Sequence, residues 1–207
     1  MKTMDKVQHW EEVYQTKSPL EVSWYEPDPQ QSVDLILTAA GSSRGRIIDV
    51  GGGQSFLVDR LIDAGFAHVA VLDISNAAIE ATKARLGERA SNVRWIVADI
   101  TQADSLGAFD IWHDRAVFHF ITDAEDRQRY LDLLKRTLPI GGHFVVGTFA
   151  VGGPEKCSGL QIQQYDAAAM QETLGPSFEP VKCCQYEHMT PSGKSQLFFF
   201  GIYQRVM

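Results

Sequence analysis

The chain has 207 residues, which fits one α/β domain carrying at most a small lid. Apolar residues make up 44%, enough for a full core and outside the range of disordered chains. Asp plus Glu number 26 against 19 Lys plus Arg, and the resulting net charge of −7 argues against sequence-independent nucleic-acid binding and against an anionic membrane surface.

The first 32 residues differ from the rest in being polar, aromatic and proline-bearing ("HWEEVYQTKSPLEVSWYEPDP"). They predict a short helix over 6–14, a loop, and a helix from about Gln30 to Ala40 closed by Gly41. "RIIDV" is a strand, residues 54–64 a helix closed by Gly65, and "HVAVLDI" a strand. Ser75 or Asn76 caps a helix running to about Leu86. "NVRWIVADI" and "AFDIWHD" read as strands, and Thr122 with Glu125 forms a capping box for a helix ending before Pro139. "HFVVGTFA" is a strand and "DAAAMQETLG" a helix. "FEPVKCCQYEHM" and "SQLFFFGIYQR" flank "TPSGK" as a hairpin. The fold class is therefore α/β: a doubly wound, mostly parallel seven-stranded sheet with helices on both faces and an antiparallel C-terminal hairpin. Residues 1–207 are expected to form one domain, with 1–32 as an aromatic lid.

No apolar run is long enough to span a membrane, and "MKTMDKVQHWEEVY" does not read as a signal peptide. Cys157, Cys183 and Cys184 are an odd set with one adjacent pair, so no disulfide framework is expected. Neither Cys-x-x-Cys nor His-x-x-x-His spacing occurs, and no metal is expected. A soluble protein of the reducing cytoplasm follows as an expectation.

Ligands in such sheets bind outside the carboxyl ends of the strands. Asp49, Asp73, Asp99 and Asp114 all fall there. Gly51, Gly52 and Gly53 follow the first strand, where glycines let a ligand touch the backbone. A dinucleotide or S-adenosylmethionine would fit a strand, a glycine loop and a helix. The dinucleotide fingerprint G-x-G-x-x-G fails at its third position, Phe56. Asp49 would also repel a pyrophosphate, whereas it would attract the sulfonium and ammonium of S-adenosylmethionine. Asp73 lies close to the roughly 20-residue offset at which an acid grips ribose hydroxyls, which either ligand carries.

Together, "IIDVGGGQS", "VLDIS", "VADI" and "FDIWHDRAVFHF" resemble the class I S-adenosylmethionine-dependent methyltransferases over about residues 44–150. That family usually carries Cys or Ser where this chain has Gly52. The resemblance implies S-adenosylmethionine as cofactor and S-adenosylhomocysteine as product. Asp49, Gly51, Gly53 and Asp73 would bind it. Asp99 would accept from the adenine amino group, Ile74 and Ile100 would cover the rings, and Arg115 would lie beside it. Trp10 and Tyr14 share a helical face and Trp24 follows, an arrangement similar to the lysine methyltransferases of elongation factor 1A and citrate synthase. There the aromatics close over the sulfonium, which gains cation–π attraction. The chain departs from those enzymes in having Asp114-Arg115-Ala116 where they carry Lys-Gly-Thr. It is similar also to compact bacterial methyltransferases of thiols and of selenium or tellurium oxyanions, which have an aromatic N-terminal lid.

The acceptor candidates are His113, Asp114, Arg115, His119, Tyr25 and "CSGLQIQQYD". His119 could be a base, Arg115 could hold an anion, and Cys157 could be a reactive thiol. The Asn/Asp-Pro-Pro-aromatic signature of amino methylation is absent. A small acceptor is expected, a thiol or other chalcogen first, with aromatic walls from Trp24, Tyr25 and Phe118. A protein lysine, drawn by Glu26, Asp28 and Asp114, is the rival. A non-catalytic S-adenosylmethionine-binding module is the third reading.

Overall fold

A computed structural model of the chain describes residues 3–207, with side chains from Lys6 onward. Helix α1 (Thr3–Thr16) and a loop lead to α2 (Gln30–Ala40), β1 (Ile47–Val50), α3 (Leu57–Asp63), β2 (Val69–Asp73) and α4 (Asn76–Leu86). Then follow β3 (Val93–Val97), β4 (Ile111–Arg115), α5 (Ala124–Thr137) and β5 (His143–Phe149). A two-residue hairpin, β6 (Lys156–Cys157) with β7 (Leu160–Gln161), precedes α6 (Ala167–Leu174), β8 (Phe178–Met189) and β9 (Ser195–Arg205). The seven-stranded sheet runs β3-β2-β1-β4-β5-β9-β8. Its first five strands pair in parallel, and β9 and β8 close it antiparallel.

The alternation of side chains along each strand splits the core into two layers. Ile48, Val50, Leu72, Trp112 and Phe144 face α5 and α6 through Tyr130, Leu134, Met170 and Leu174. Ile47, Val69, Val71, Ile111 and Val145 face α2, α3 and α4 through Ile36, Leu61 and Ile79. The strand order reverses between β1 and β4, so the loops after those strands diverge and leave a crevice.

Helix ends follow local chemistry with one correction. Ser75 Oγ accepts from the Ala78 amide and caps α4, as expected. At α5 the cap is Asp123, not a Thr122–Glu125 box. Its carboxylate accepts from the Glu125 and Asp126 amides at 2.9 and 3.0 Å, and a charged oxygen at a helix N-terminus outcompetes a hydroxyl.

A buried polar chain crosses the α5 layer. Trp112 Nε1 donates to the Tyr130 hydroxyl at 2.8 Å, and that hydroxyl donates to Asp114 Oδ2 at 2.6 Å. Tyr130→Phe strands both partners and is expected to cost about 1–3 kcal/mol. Urea unfolding should show a lower midpoint at unchanged slope; an unchanged midpoint would contradict this role.

Candidate active site

Two cavities open at the crevice, and Tyr14, Trp24, Gly51 and Arg115 line both. The first encloses about 820 Å³ of space between its walls and the open solvent at its mouth. It brings together Trp10, Tyr14, Trp24, Gly51, Asp73, Ile74, Asp99, Ile100 and Arg115 from the sequence-derived set. Asp73 Oδ1 accepts from the Ser75 amide at 2.8 Å. Burial pushes its carboxyl up to about 7, Asp49 adding to the effect while backbone donors oppose it. Asp99 Oδ1 accepts from the Thr101 amide and hydroxyl at 2.9 and 2.8 Å, leaving Oδ2 buried without a partner. The glycine loop is close-packed: a Cβ on Gly51 would fall 2.0 Å from Val117, and one on Gly53 2.7 Å from the Tyr14 hydroxyl. Both residues have positive φ, +73° and +41°.

The N-terminal segment lies over this cavity. Trp10 meets Phe120 and Trp24 edge-on at 5.1 and 5.6 Å, and Tyr14 meets Trp24 at 6.4 Å. Of its anchors, Glu11, Lys6 and His188 were not among the sequence-derived candidates; Arg115 and Glu26 were, in other roles. Glu11 accepts from Ser75 Oγ at 2.7 Å and from the Ala77 amide, so α1 supplies an acid to the start of α4. Lys6 pairs with Asp126 at 2.7 Å. Arg115 Nη1 donates to the Trp24 carbonyl at 2.9 Å, and Nη2 lies 3.3 Å from Glu26. His188 Nε2 lies 2.7 Å from the Ser23 carbonyl and Nδ1 3.2 Å from Glu26. Burial alone would raise the Glu26 carboxyl; the His188 hydrogen bond and the Arg115 and His188 charges outweigh it and hold it low.

Asp49 is placed differently from its acidic companions. It lines the second cavity with Ser32, Gly52, Gln54 and His113, and its Oδ1 lies 2.7 Å from His113 Nδ1. Tyr25 also lines the second cavity and meets Phe56 edge-on at 6.3 Å. Gly53 lines neither, but seats the Tyr14 hydroxyl.

The structure corrects several catalytic candidates. Asp114 is fully buried: Oδ1 accepts from the Val117 and Phe118 amides at 3.0 and 3.1 Å, and Oδ2 from Tyr130. It fastens the turn after β4 and does not face the cavity. His119 is sealed between Phe120 and Phe149, and its Nδ1 accepts from the Phe149 amide at 3.2 Å. Burial and the Arg115 charge push it down to about 3, which keeps the ring neutral and makes it a weak base. Cys157 lines the first cavity, but burial lifts its thiol to about 11, which leaves it protonated and unreactive. Phe118 is a core residue against Tyr130 and Tyr165; Phe120 takes its expected place on the wall. Among the described residues no three His, Cys, Asp or Glu form a metal-binding group, and no helix is long and apolar enough to cross a membrane.

A family model described as a methyltransferase domain matches residues 42–189. The chain belongs to the methyltransferase domain family. The eEF1A lysine and N-terminal methyltransferase of Bos taurus is 26% identical over 187 residues, 84% of this chain and 26% of that protein. The chain thus spans about a quarter of that relative's length. A SAM-dependent methyltransferase from Anabaena variabilis superposes with a TM-score of 0.76 at 16% identity, covering 99% of this chain and 96% of that one. The N-methyltransferase NodS from Bradyrhizobium japonicum, crystallised with S-adenosylhomocysteine, superposes at 0.66 and 17%, covering 87% and 89%.

The site fits the methyltransferase cofactor on its own evidence. Asp99 Oδ2 is an orphaned acceptor, and the glycine cradle admits no side chain. In this methyltransferase Glu11→Ala removes the acid joining α1 to α4. Backbone amides of residues 8–26 are expected to exchange at least about threefold faster by deuterium exchange as local opening becomes easier. Unchanged exchange there would show that the aromatics alone hold the segment.

Proposed function

We propose that the methyl acceptor is a small molecule presenting its own lone pair, a thiol or other chalcogen before any other. The adenosyl part of the cofactor takes the first cavity and its amino-acid end the second. One domain, residues 1–207, with 1–32 as its lid, is the unit this requires. Asp73 receives the ribose hydroxyls, Asp99 the adenine amino group, and Ile74 and Ile100 flank the rings. Gly51 lets the chain pass between the cavities, and Gly53 leaves room for Tyr14 to close over it. When bound, the cofactor supplies a methyl group on a positively charged sulfur.

One observation carries the acceptor reading: among the described residues lining the first cavity, no acid or histidine is left over to act as a base. The charged residues lining the first cavity are Lys6, Asp73, Asp99 and Arg115. Both cations are paired, with Asp126 and Glu26, and both acids serve the cofactor. A thiol has a pKa near 8.5, so part of it is already thiolate at neutral pH and needs no base. Its sulfur attacks the methyl carbon, the carbon–sulfonium bond breaks, and S-adenosylhomocysteine leaves. The proton has gone to solvent beforehand. Trp10, Trp24 and Phe120 exclude water and hold the acceptor in line, the part of the barrier that positioning can supply.

A lysine acceptor has the Bos taurus relative's name in its favour. It would need acids to draw in an ammonium and a way to deprotonate it. Glu26 is taken by Arg115 and His188, Asp28 pairs with Arg60, and Asp114 is buried. The test is a panel of an aryl thiol, an alkyl thiol, sulfide and selenite, read by S-adenosylhomocysteine release. Turnover should rise with pH along each thiol's own ionisation. No turnover on the panel, with a cellular protein methylated on lysine, would overturn the reading.

The Asp73 reading carries its own pH dependence. Ribose hydroxyls donate to the ionised carboxylate, so binding lowers a free-state value of about 7 and releases a proton. S-adenosylhomocysteine affinity is therefore expected to be level above that value. Below it, affinity should weaken by up to about tenfold per pH unit, with proton release seen by calorimetry in two buffers. Affinity that rises on acidification would contradict the assignment.

A further inference from the structure

Asp49, His113 and Ser32 form a hydrogen-bonded row along the second cavity. Asp49 and His113 sit opposite each other in the parallel register of β1 and β4, so both side chains leave the same face of the sheet. Ser32 comes from the first turn of α2, which covers that face. His113 Nδ1 lies 2.7 Å from Asp49 Oδ1, and Nε2 lies 3.0 Å from Ser32 Oγ. The three residues are only 3%, 2% and 1% exposed in the order Asp49, His113, Ser32. The order resembles a hydrolytic triad, but so sealed a hydroxyl serves the histidine and not an incoming ester.

The row acts on Asp49. A carboxylate oxygen can only accept, so His113 must carry a proton on Nδ1. With a neutral ring, the Ser32 hydroxyl donates to Nε2 and fixes that tautomer. The second carboxylate oxygen then faces the glycine loop: a Cβ on Gly52 would fall 2.6 Å from Oδ2. Gly52 therefore serves a different purpose from Gly51 and Gly53. It leaves room for an acid side chain, not for a ligand or for Tyr14. Pinned at Oδ1 and flanked by backbone at Oδ2, the carboxylate has one orientation.

We propose that His113, oriented by Ser32, is a positioning residue that turns Asp49 toward the second cavity to grip the ammonium of the cofactor's amino-acid end. This rests on the reading that the second cavity takes that end. His113 touches no reacting atom. It acts through Asp49, and its effect is confined to ligands that carry the amino-acid group.

The experiment compares two probes by titration calorimetry: S-adenosylhomocysteine, and 5′-methylthioadenosine, which lacks the amino-acid end. His113→Ala is expected to weaken S-adenosylhomocysteine about tenfold or more, and methylthioadenosine by less than about twofold. His113→Asn puts an amide N–H near the place of Nδ1 and is expected to keep S-adenosylhomocysteine within about threefold. His113→Gln keeps bulk but aims its amide toward Ser32, and is expected to lose affinity as the alanine variant does. It serves as the test should the alanine variant fail to fold. Equal weakening of both probes in His113→Gln, or none, overturns the proposal and leaves His113 as packing. If the unmodified protein binds both probes equally well, the reading of the second cavity fails and the proposal falls with it. That result shows before any variant is made.

Discussion

The buried guanidinium of Arg115 is the interaction on which the rest of the site depends. A cation sealed from water is costly unless its hydrogen bonds and charge are met nearby. Here the Trp24 carbonyl accepts from Nη1, and the Glu26 carboxylate and the face of Phe198, 5.0 Å away, answer the charge, while Nε and Nη2 are left without a hydrogen bond. Two of those three partners lie in the N-terminal segment. The end of β4 thereby fixes a loop more than eighty residues earlier in the chain. His188, from β8, holds the same loop through Ser23 and Glu26. The indole of Trp24 is set where Trp10 and Tyr14 can pack on it. Without the ion pair, the aromatic roof would keep its stacking and the anchors through Glu11, Lys6 and His188.

The same residue divides the crevice. Arg115 lines both cavities with Gly51, Tyr14 and Trp24, at the junction where the reacting methyl would lie. Its charge is paired with Glu26 and its Nη1 with a carbonyl, which leaves Nε and Nη2 as donors without a hydrogen bond. His119, sealed behind Phe120, is held neutral by burial and by this very cation. These pieces support the proposal of a site that positions its reactants and leaves proton chemistry to the acceptor.

Much of this was legible in the sequence because strand ends and glycine turns are local features. Asp73, Asp99, Gly51 and Gly52 announce themselves by position, and all line the crevice. Trp10 and Tyr14 were legible as one helical face. What was hidden depends on which elements meet. Asp49 looked like its companions, but parallel register places His113 beside it, and register is set by packing across β1 and β4. Asp114 looked catalytic from its place after a strand. Its burial depends on Tyr130, from a helix the sequence cannot orient. His119 had the right chemistry in the wrong layer. Glu11, Glu26 and His188 carry no motif, since each matters only for the backbone or charge it meets across the fold.

The most direct measurement is a crystal structure with S-adenosylhomocysteine bound. The account requires the ribose hydroxyls within hydrogen-bond distance of Asp73 and the adenine amino group on the free oxygen of Asp99. It also requires the amino-acid arm to pass Gly51 beneath Trp24 toward Asp49. An arm turned instead toward Cys157, or a cofactor lying outside the roof of Trp10, Tyr14 and Trp24, would contradict it.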